Sequence, residues 1–379
     1  MMKRTVVLTF LCIIVMFFCI ESIGFEKRNS HEETNIHVSF LAVGDNLIHS
    51  SIYKHHRLEN GGYDFRKIYQ YTNALTQSVD VAYINQETIC AGEELGLSNY
   101  PQFNGPLEVI DALNDAGFDW ISSASNHSMD RGEKGILKQL DYIQTHYPNM
   151  IMSGIHRSKE EAHQNQVIVV NGLKIGLLNY TYGLNGNALP KGKEYLVDII
   201  DKERIQKDMD NLNQISDIQI VAMHWGNEYQ FSPTENQRSL AQYLCDLGVD
   251  VIIGNHPHVI QPVEFIHGQN NQETLVMYSL GNFLSAQDKA ECMLGGMMLW
   301  DIEYNKSKKT ISFQNVQFLP TVTQIADKYN TYRTYLLKDW SNEHAKQHVL
   351  YQKGLNVSRE AYIDIVQSVI KDKVKVVYE

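Results

Sequence analysis

The chain has 379 residues, 43% of them hydrophobic and 20% charged, a balance that excludes a largely disordered protein and supplies one large core or two modest ones. Its formal net charge of -11 removes the positive field that nonspecific binding to nucleic acid or to an anionic membrane surface requires. A polyanionic partner has to be met locally, by metal.

Lys3 and Arg4 precede an apolar run from Val6 to Ile20, followed by Glu21 and polar residues. This is the pattern of an export signal, and it is shorter than the ~20 residues that span a bilayer comfortably. Residues 1–29 are therefore expected to be a signal peptide or an N-terminal membrane anchor, with cleavage at Ser22-Ile23-Gly24 and retention both open. The remainder is expected to be extracytoplasmic, secreted or held at the membrane. Residues 30–36 read as a linker. Two of the five cysteines lie in the apolar run, and Cys90, Cys245 and Cys292 are too sparse for a disulfide framework.

From His37 the texture alternates. Short apolar runs at 37–43, 81–84, 120–124, 174–179, 218–223 and 249–253 read as buried strands. Between them, 65–76, 107–116, 132–145, 202–214 and 234–247 read as helices, with Ser232-Pro233-Thr234 a start signal and Gly117 and Gly248 stop signals. After His258, strand-like stretches at 275–280, 297–304 and 310–318 predict an antiparallel region. The predicted fold is α/β, two packed sheets with helices outside. From about Gln324 the chain reads as a polar helical appendage, with 359–371 its best amphipathic stretch.

Five of the strands run directly into donor residues: Asp45 after Gly44, Glu87 after Asn85-Gln86, Asn126-His127, His224, and His256-Pro257-His258. Tyr180-Thr181-Tyr182 ends a sixth strand without an evident ligand. Each alone has a plain structural explanation: a cap for Asp45, loop polarity for Asn85 and Glu87, a turn for Asn126-His127, a core histidine for His224. In an open α/β sheet, however, the carboxyl ends of strands converge on one crevice. Oxygen and nitrogen donors collected there suit divalent ions, and the set is large enough for two. His256 and His258, two residues apart in a segment expected to be extended, would face one side.

The motifs Phe40-Leu41-Ala42-Val43-Gly44-Asp45, Asn85-Gln86-Glu87-Thr88, Ser125-Asn126-His127-Ser128-Met129-Asp130-Arg131-Gly132, His224-Trp225-Gly226-Asn227-Glu228-Tyr229, Gly254-Asn255-His256-Pro257-His258 and Tyr278-Ser279-Leu280-Gly281-Asn282-Phe283 resemble, in order, those of the bacterial capsule-synthesis protein CapA (PgsA) family. That family is similar to the calcineurin-like metallophosphoesterases. The resemblance implies a four-layer αββα sandwich over residues 37–320, with 321–379 as a helical C-terminal appendage. It also implies two divalent metal ions (Mn, Fe or Zn), with Asp45 and His258 on the first, Asn126, His224 and His256 on the second, and Glu87 bridging. His127 would be the general acid beside them. The phosphoesterase pattern Asp-x-His is broken, since Asn46 and Leu47 follow Asp45; His49 is the nearest substitute. The implied role is synthesis or export of poly-gamma-glutamate or another envelope polymer at the cell surface, by hydrolysis of a phosphoester, amide or ester. The alternative is a noncatalytic polymer-binding subunit of a capsule synthesis and export complex. Partners would be the anionic polymer or an envelope phosphoester and other capsule membrane proteins, and no nucleic acid.

Overall fold

The structure is a computed structural model that describes residues 35–269, 272–371 and 374–379. The expected signal or anchor at 1–29 and most of the linker lie outside the described residues, among which no helix is long and apolar enough to cross a membrane.

The chain builds one sheet, leaves it to build a second, and returns. It starts with β1 (Asn35–Asn46), β2 (Val81–Gln86), β3 (Trp120–Ser122) and β4 (Ile151–Ser153), neighbours in that order and all parallel. Next come β5 (Gln166–Val170), β6 (Leu173–Thr181), β7 (Ile218–His224), β8 (Val251–Asn255), β9 (Val263–His267) and β10 (Glu273–Met277), which form a six-stranded sheet in the order β5-β6-β7-β8-β10-β9. Its central strands β6, β7, β8 and β10 are parallel, and the outer two are antiparallel to their neighbours. The chain then re-enters the first sheet with β11 (Asn282–Leu284), β12 (Leu294–Asn305), β13 (Thr310–Ala326), β14 (Thr331–Leu336) and β15 (Lys375–Val376). β12, β13 and β14 extend it antiparallel beyond β1, giving nine strands among the described residues.

Side chains alternate across the second sheet as strand geometry requires. Leu177, Ile220, Ile253 and Leu275 point into the core shared with the first sheet. Leu178, Val221, Ile252 and Val276 point the other way, into a separate cluster with helices Lys202–Ile215 and Glu235–Asp246 through Leu212, Leu240 and Leu244. Each such buried aliphatic contributes about 1.5–3 kcal/mol. Helices Glu108–Ala116 and Gly132–His146 bury Leu113, Ile136 and Leu140 in the core of the first sheet. The result is the four-layer αββα order. Helix starts match the sequence signals: Thr234 accepts from Gln237 N in a capping box, and Gly117, at φ 91, ends the helix at 116.

Several sequence expectations about the elements differ from what is seen, among them the antiparallel setting expected for 275–280, where β10 pairs parallel with β8 and antiparallel only with β9. The helix expected at 65–76 is two short turns, Arg66–Tyr69 and Asn73–Thr76. The boundary expected after 320 falls inside β13, and the following stretch adds β14 before its helices. In β14 alternate residues Tyr332, Thr334 and Leu336 are buried, a strand period that polar neighbours hide. Trp340, Leu350, Tyr362 and Val366 from this stretch join the main core, and Asn35–Glu379 form one unit. Cys90, Cys245 and Cys292 are free, in line with their sparse spacing, and buried.

Candidate metal centre

Parallel strands of both sheets end at the same place, which brings together donors that the sequence spreads over more than 200 residues, 211 between Asp45 and His256. Asp45 is near the end of β1, Glu87 follows β2, and Asn126 lies in the loop after β3. His224 is the last residue of β7, and His256 and His258 follow β8. All six are buried. Two glycines permit the approach: a Cβ on Gly44 would lie 1.9 Å from the Gly281 carbonyl oxygen, and one on Gly254 would lie 2.0 Å from that of Tyr278.

The donors form two groups that share Glu87. Glu87, His256 and His258 have ligand atoms within 4.8 Å of one another, as do Asp45, Glu87 and His224. His258 Nε2 is 3.6 Å and His224 Nε2 3.9 Å from Glu87 Oε1. His258 Nδ1 is 3.3 Å from Asp45 Oδ2, and His224 Nε2 is 2.8 Å from Asn126 Oδ1. Both Glu87 oxygens and His256 Nδ1 are buried without a hydrogen-bond partner. A carboxylate in that condition is costly unless a cation meets it.

The expected extended His256-Pro257-His258 segment is not extended: His256 has φ 96 and His258 φ 59. The left-handed turn aims the His256 backbone N–H at Asp45, 3.1 Å from Oδ2, and still leaves the two imidazoles 5.8 Å apart. Such backbone costs of order 1–3 kcal/mol per residue and collects at functional sites.

Electrostatics pull in opposite directions on neighbouring rings. Burial, helped by His258 and His127, drives His256 down to about 3. Burial together with His256 and His258 takes His224 well below the usual imidazole range. Burial also opposes charge on His258, but the Glu87 and Asp45 carboxylates outweigh it and raise that ring to about 9. Glu87 is itself raised by burial despite His258. The direction that holds for the pair is a shared demand for positive charge between Asp45 and Glu87, because among the described residues the basic groups paired with them are imidazoles, His258 and His224, rather than a lysine or arginine.

His127 adjoins this cluster without joining it. Its Nδ1 is 2.7 Å from Asp130 Oδ2, and Phe103 packs edge-on against the ring at 4.7 Å. His49 is in neither donor group; its Nδ1 accepts from Ala286 N at 3.3 Å, and burial lowers it to about 4. At the broken Asp-x-His position, Asn46 is bound to Gln86 and Tyr69, and Leu47 is buried.

Beneath the donors runs a buried polar chain that the strand-end pattern does not reveal. Asn255 Nδ2 donates to Tyr83 OH at 2.8 Å, Tyr83 OH meets Ser122 Oγ at 2.6 Å, Ser122 Oγ donates to Asn85 Oδ1 at 2.7 Å, and Asn85 Nδ2 donates to Asp45 Oδ1 at 2.7 Å. Asn282 Oδ1 lies 3.1 Å from His258 Nδ1, which turns Nε2 toward Glu87. Tyr182, half-exposed, puts its ring 4.7 Å from His256 at the mouth of the crevice. Asn85, Asn255 and Asn282 stand inside the family-like motifs; Tyr83 and Ser122, within their strands, carry no signal in the sequence.

The relatives of this chain include two capsule-synthesis proteins. CapA of Bacillus subtilis, a PGA biosynthesis protein, is 30% identical over 238 residues, 58% of this chain and 57% of its own length. The capsule biosynthesis protein CapA of Bacillus anthracis is 28% identical over 245 residues, 62% of this chain and 57% of its own. The chain thus spans 57% of the length of each. A novel phosphatase from Mycoplasma pneumoniae superposes over 76% of this chain and 94% of its own, at 14% identity and a TM-score of 0.47. The bacterial capsule synthesis protein PGA_cap family matches residues 39–287, a span that holds every donor of the crevice, and the chain belongs to that family.

Proposed function

We propose that this protein is an exported, cell-surface hydrolase of capsule or envelope polymer synthesis that depends on two divalent ions. The observation that carries this reading is the buried Glu87 carboxylate, which faces three imidazoles with both oxygens unpartnered. By the family-like motifs Asp45 and His258 would hold one ion and Asn126, His224 and His256 the other, with Glu87 shared, whereas ligand-atom distances group His256 with His258 and Asp45 with His224, Glu87 being common to both; Mn, Fe or Zn suits such oxygen and nitrogen donors. Such ions supply Lewis acidity and charge neutralisation to a phosphoryl or carbonyl group attacked by water.

The chain's own residues do the rest. The buried polar chain from Asn255 to Asp45 and the Asn282 contact fix the donors before substrate arrives. Asp130 accepts from His127 Nδ1, so a proton at His127 Nε2 can pass to a leaving group while Asp130 stabilises the ring. The substrate class supported by the relatives' names is a capsule polymer, and an amide-linked polyglutamate or an envelope phosphoester fits the centre.

Leu47, apolar and buried where the phosphoesterase pattern has a ligand, favours a second reading: a noncatalytic subunit that binds anionic polymer through the metal. The full chain loaded with Mn(II) is assayed on a model phosphodiester and on polyglutamate. Turnover of either that a chelator abolishes supports the hydrolase. Metal and polymer bound without turnover of either supports the subunit. Export is tested separately: protease added to intact cells should digest residues 30–379 and spare them only if the placement is wrong.

A further inference from the structure

The loop between β6 and the helical turn Glu194–Leu196 contributes no donor, yet it is tied to the Asn126–Glu133 segment along its length. Asn187 Nδ2 reaches Asp130 Oδ1 at 3.4 Å, and Lys193 Nζ pairs with Glu133 at 2.6 Å. Between these ties and β6 stands Asn185, whose one amide meets two adjacent residues of the centre. Its Oδ1 accepts from Asn126 Nδ2 at 3.2 Å, and its Nδ2 is 3.4 Å from His127 Nε2.

We propose that Asn185 is a positioning residue that holds the Asn126 carboxamide with its oxygen toward His224. The inference rests on the reading of Asn126 as a metal donor. An amide ligates a cation only through oxygen, and its two ends are nearly the same shape, so an unrestrained Asn126 could present its NH₂ instead. Asn185 Oδ1 accepts hydrogen bonds and does not donate them, so it takes only that NH₂ and forces Asn126 Oδ1 to the opposite side, where it lies 2.8 Å from His224 Nε2. Asn185 also adopts φ 51, in the left-handed region that disfavours most side chains, and Gly186 follows at φ 81. A glycine at 185 would suit this backbone better; the side chain present there is the one that reaches the centre.

Mn(II) is titrated calorimetrically into the full chain, into Asn185→Ala, into Asn185→Gly, and into Asn171→Gly, a control at the other left-handed asparagine-glycine turn, where Asn171 has φ 53 and its side chain reaches His37 and Asp80. Melting is followed in chelator for all four. Asn185→Gly should melt no lower than the parent and bind Mn(II) on the order of tenfold more weakly, the scale of a lost partner to a metal ligand. Asn185→Ala should bind as weakly, and Asn171→Gly should bind as the parent does. Parent-like affinity in Asn185→Gly, or an equal loss in Asn171→Gly, overturns the positioning role alone. A parent that binds no Mn(II) overturns the metal reading and this role with it.

Discussion

The backbone N–H of His256 donates to the Asp45 carboxylate, 3.1 Å from Oδ2 and 3.3 Å from Oδ1, and so joins the end of β8 in one sheet to the end of β1 in the other. Asp45 has this bond and the one from Asn85; Glu87, equally buried, has neither kind. The two acids therefore contribute to the metal-free protein with opposite signs.

Asp45→Ala should destabilise the metal-free protein by about 1–3 kcal/mol, since it leaves the buried His256 N–H and the Asn85 amide without an acceptor. Glu87→Gln should leave it equally stable or more so, because it removes a buried carboxylate that accepts no hydrogen bond and has only imidazoles, at 3.6 and 3.9 Å, to offset its charge. Both should weaken Mn(II) binding. Urea unfolding in chelator, then with Mn(II), reads all four values.

His127→Ala should lower kcat on the order of 10²-fold while bound metal stays constant, the scale of a lost general acid. The ring touches Asp130 and Phe103 and lies outside both donor groups. Steady-state kinetics on whichever substrate is turned over, with metal analysis of the same samples, separates this role from ligation. Equal loss of metal and activity would make His127 part of the metal site.

Asp250 makes stability fall with rising pH. Burial raises its carboxyl to about 7, against bonds from Gln219 N and Gln272 that favour the charged form. The folded state therefore keeps a proton that the unfolded chain has released above about pH 4. This contribution is fully present below that pH and lost as pH rises through about 7. A carboxamide in its place would not titrate, so the stability of Asp250→Asn relative to the parent should increase between about pH 5 and 8. Unfolding at those two pH values in chelator checks it, and a constant difference would exclude the effect.

What could be read from the chain followed from strong local physics. Apolar runs ending in donors located the crevice because parallel strands share a direction, and Thr234 and Gly117 marked helix ends through backbone bonds that need those residues. The left-handed turns at His256 and His258 were hidden, since they depend on Asp45, which lies in another sheet. β5 is not among the strands expected from the sequence, although Asn171-Gly172, with φ 53 and 86, is the two-residue turn that joins Val170 to Leu173 in a hairpin. β14 was hidden differently, as its alternating burial is set by pairing with β13 rather than by its own hydrophobicity.

The stretch after 320 should behave as core. Trp340 is fully buried, donates Nε1 to Gln324 Oε1 at 2.7 Å and lies 5.6 Å from the Tyr362 ring. Trp340→Ala should cost about 3–5 kcal/mol, as for other large aromatic deletions in cores. A chain ending at 320 should fail to fold, because it cuts β13 and removes β14. Denaturant midpoints and solubility test both, and a cooperative, parent-like transition in the truncated chain would show that the stretch is separable.

The most direct measurement is the metal content of the purified full chain after loading with Mn(II) and removal of free ion, beside Glu87→Ala and His256→Ala. Two ions per parent chain are expected, with less than one retained in Glu87→Ala, whose carboxylate serves both groups, and about one in His256→Ala. Unchanged stoichiometry in both variants would contradict the metal centre.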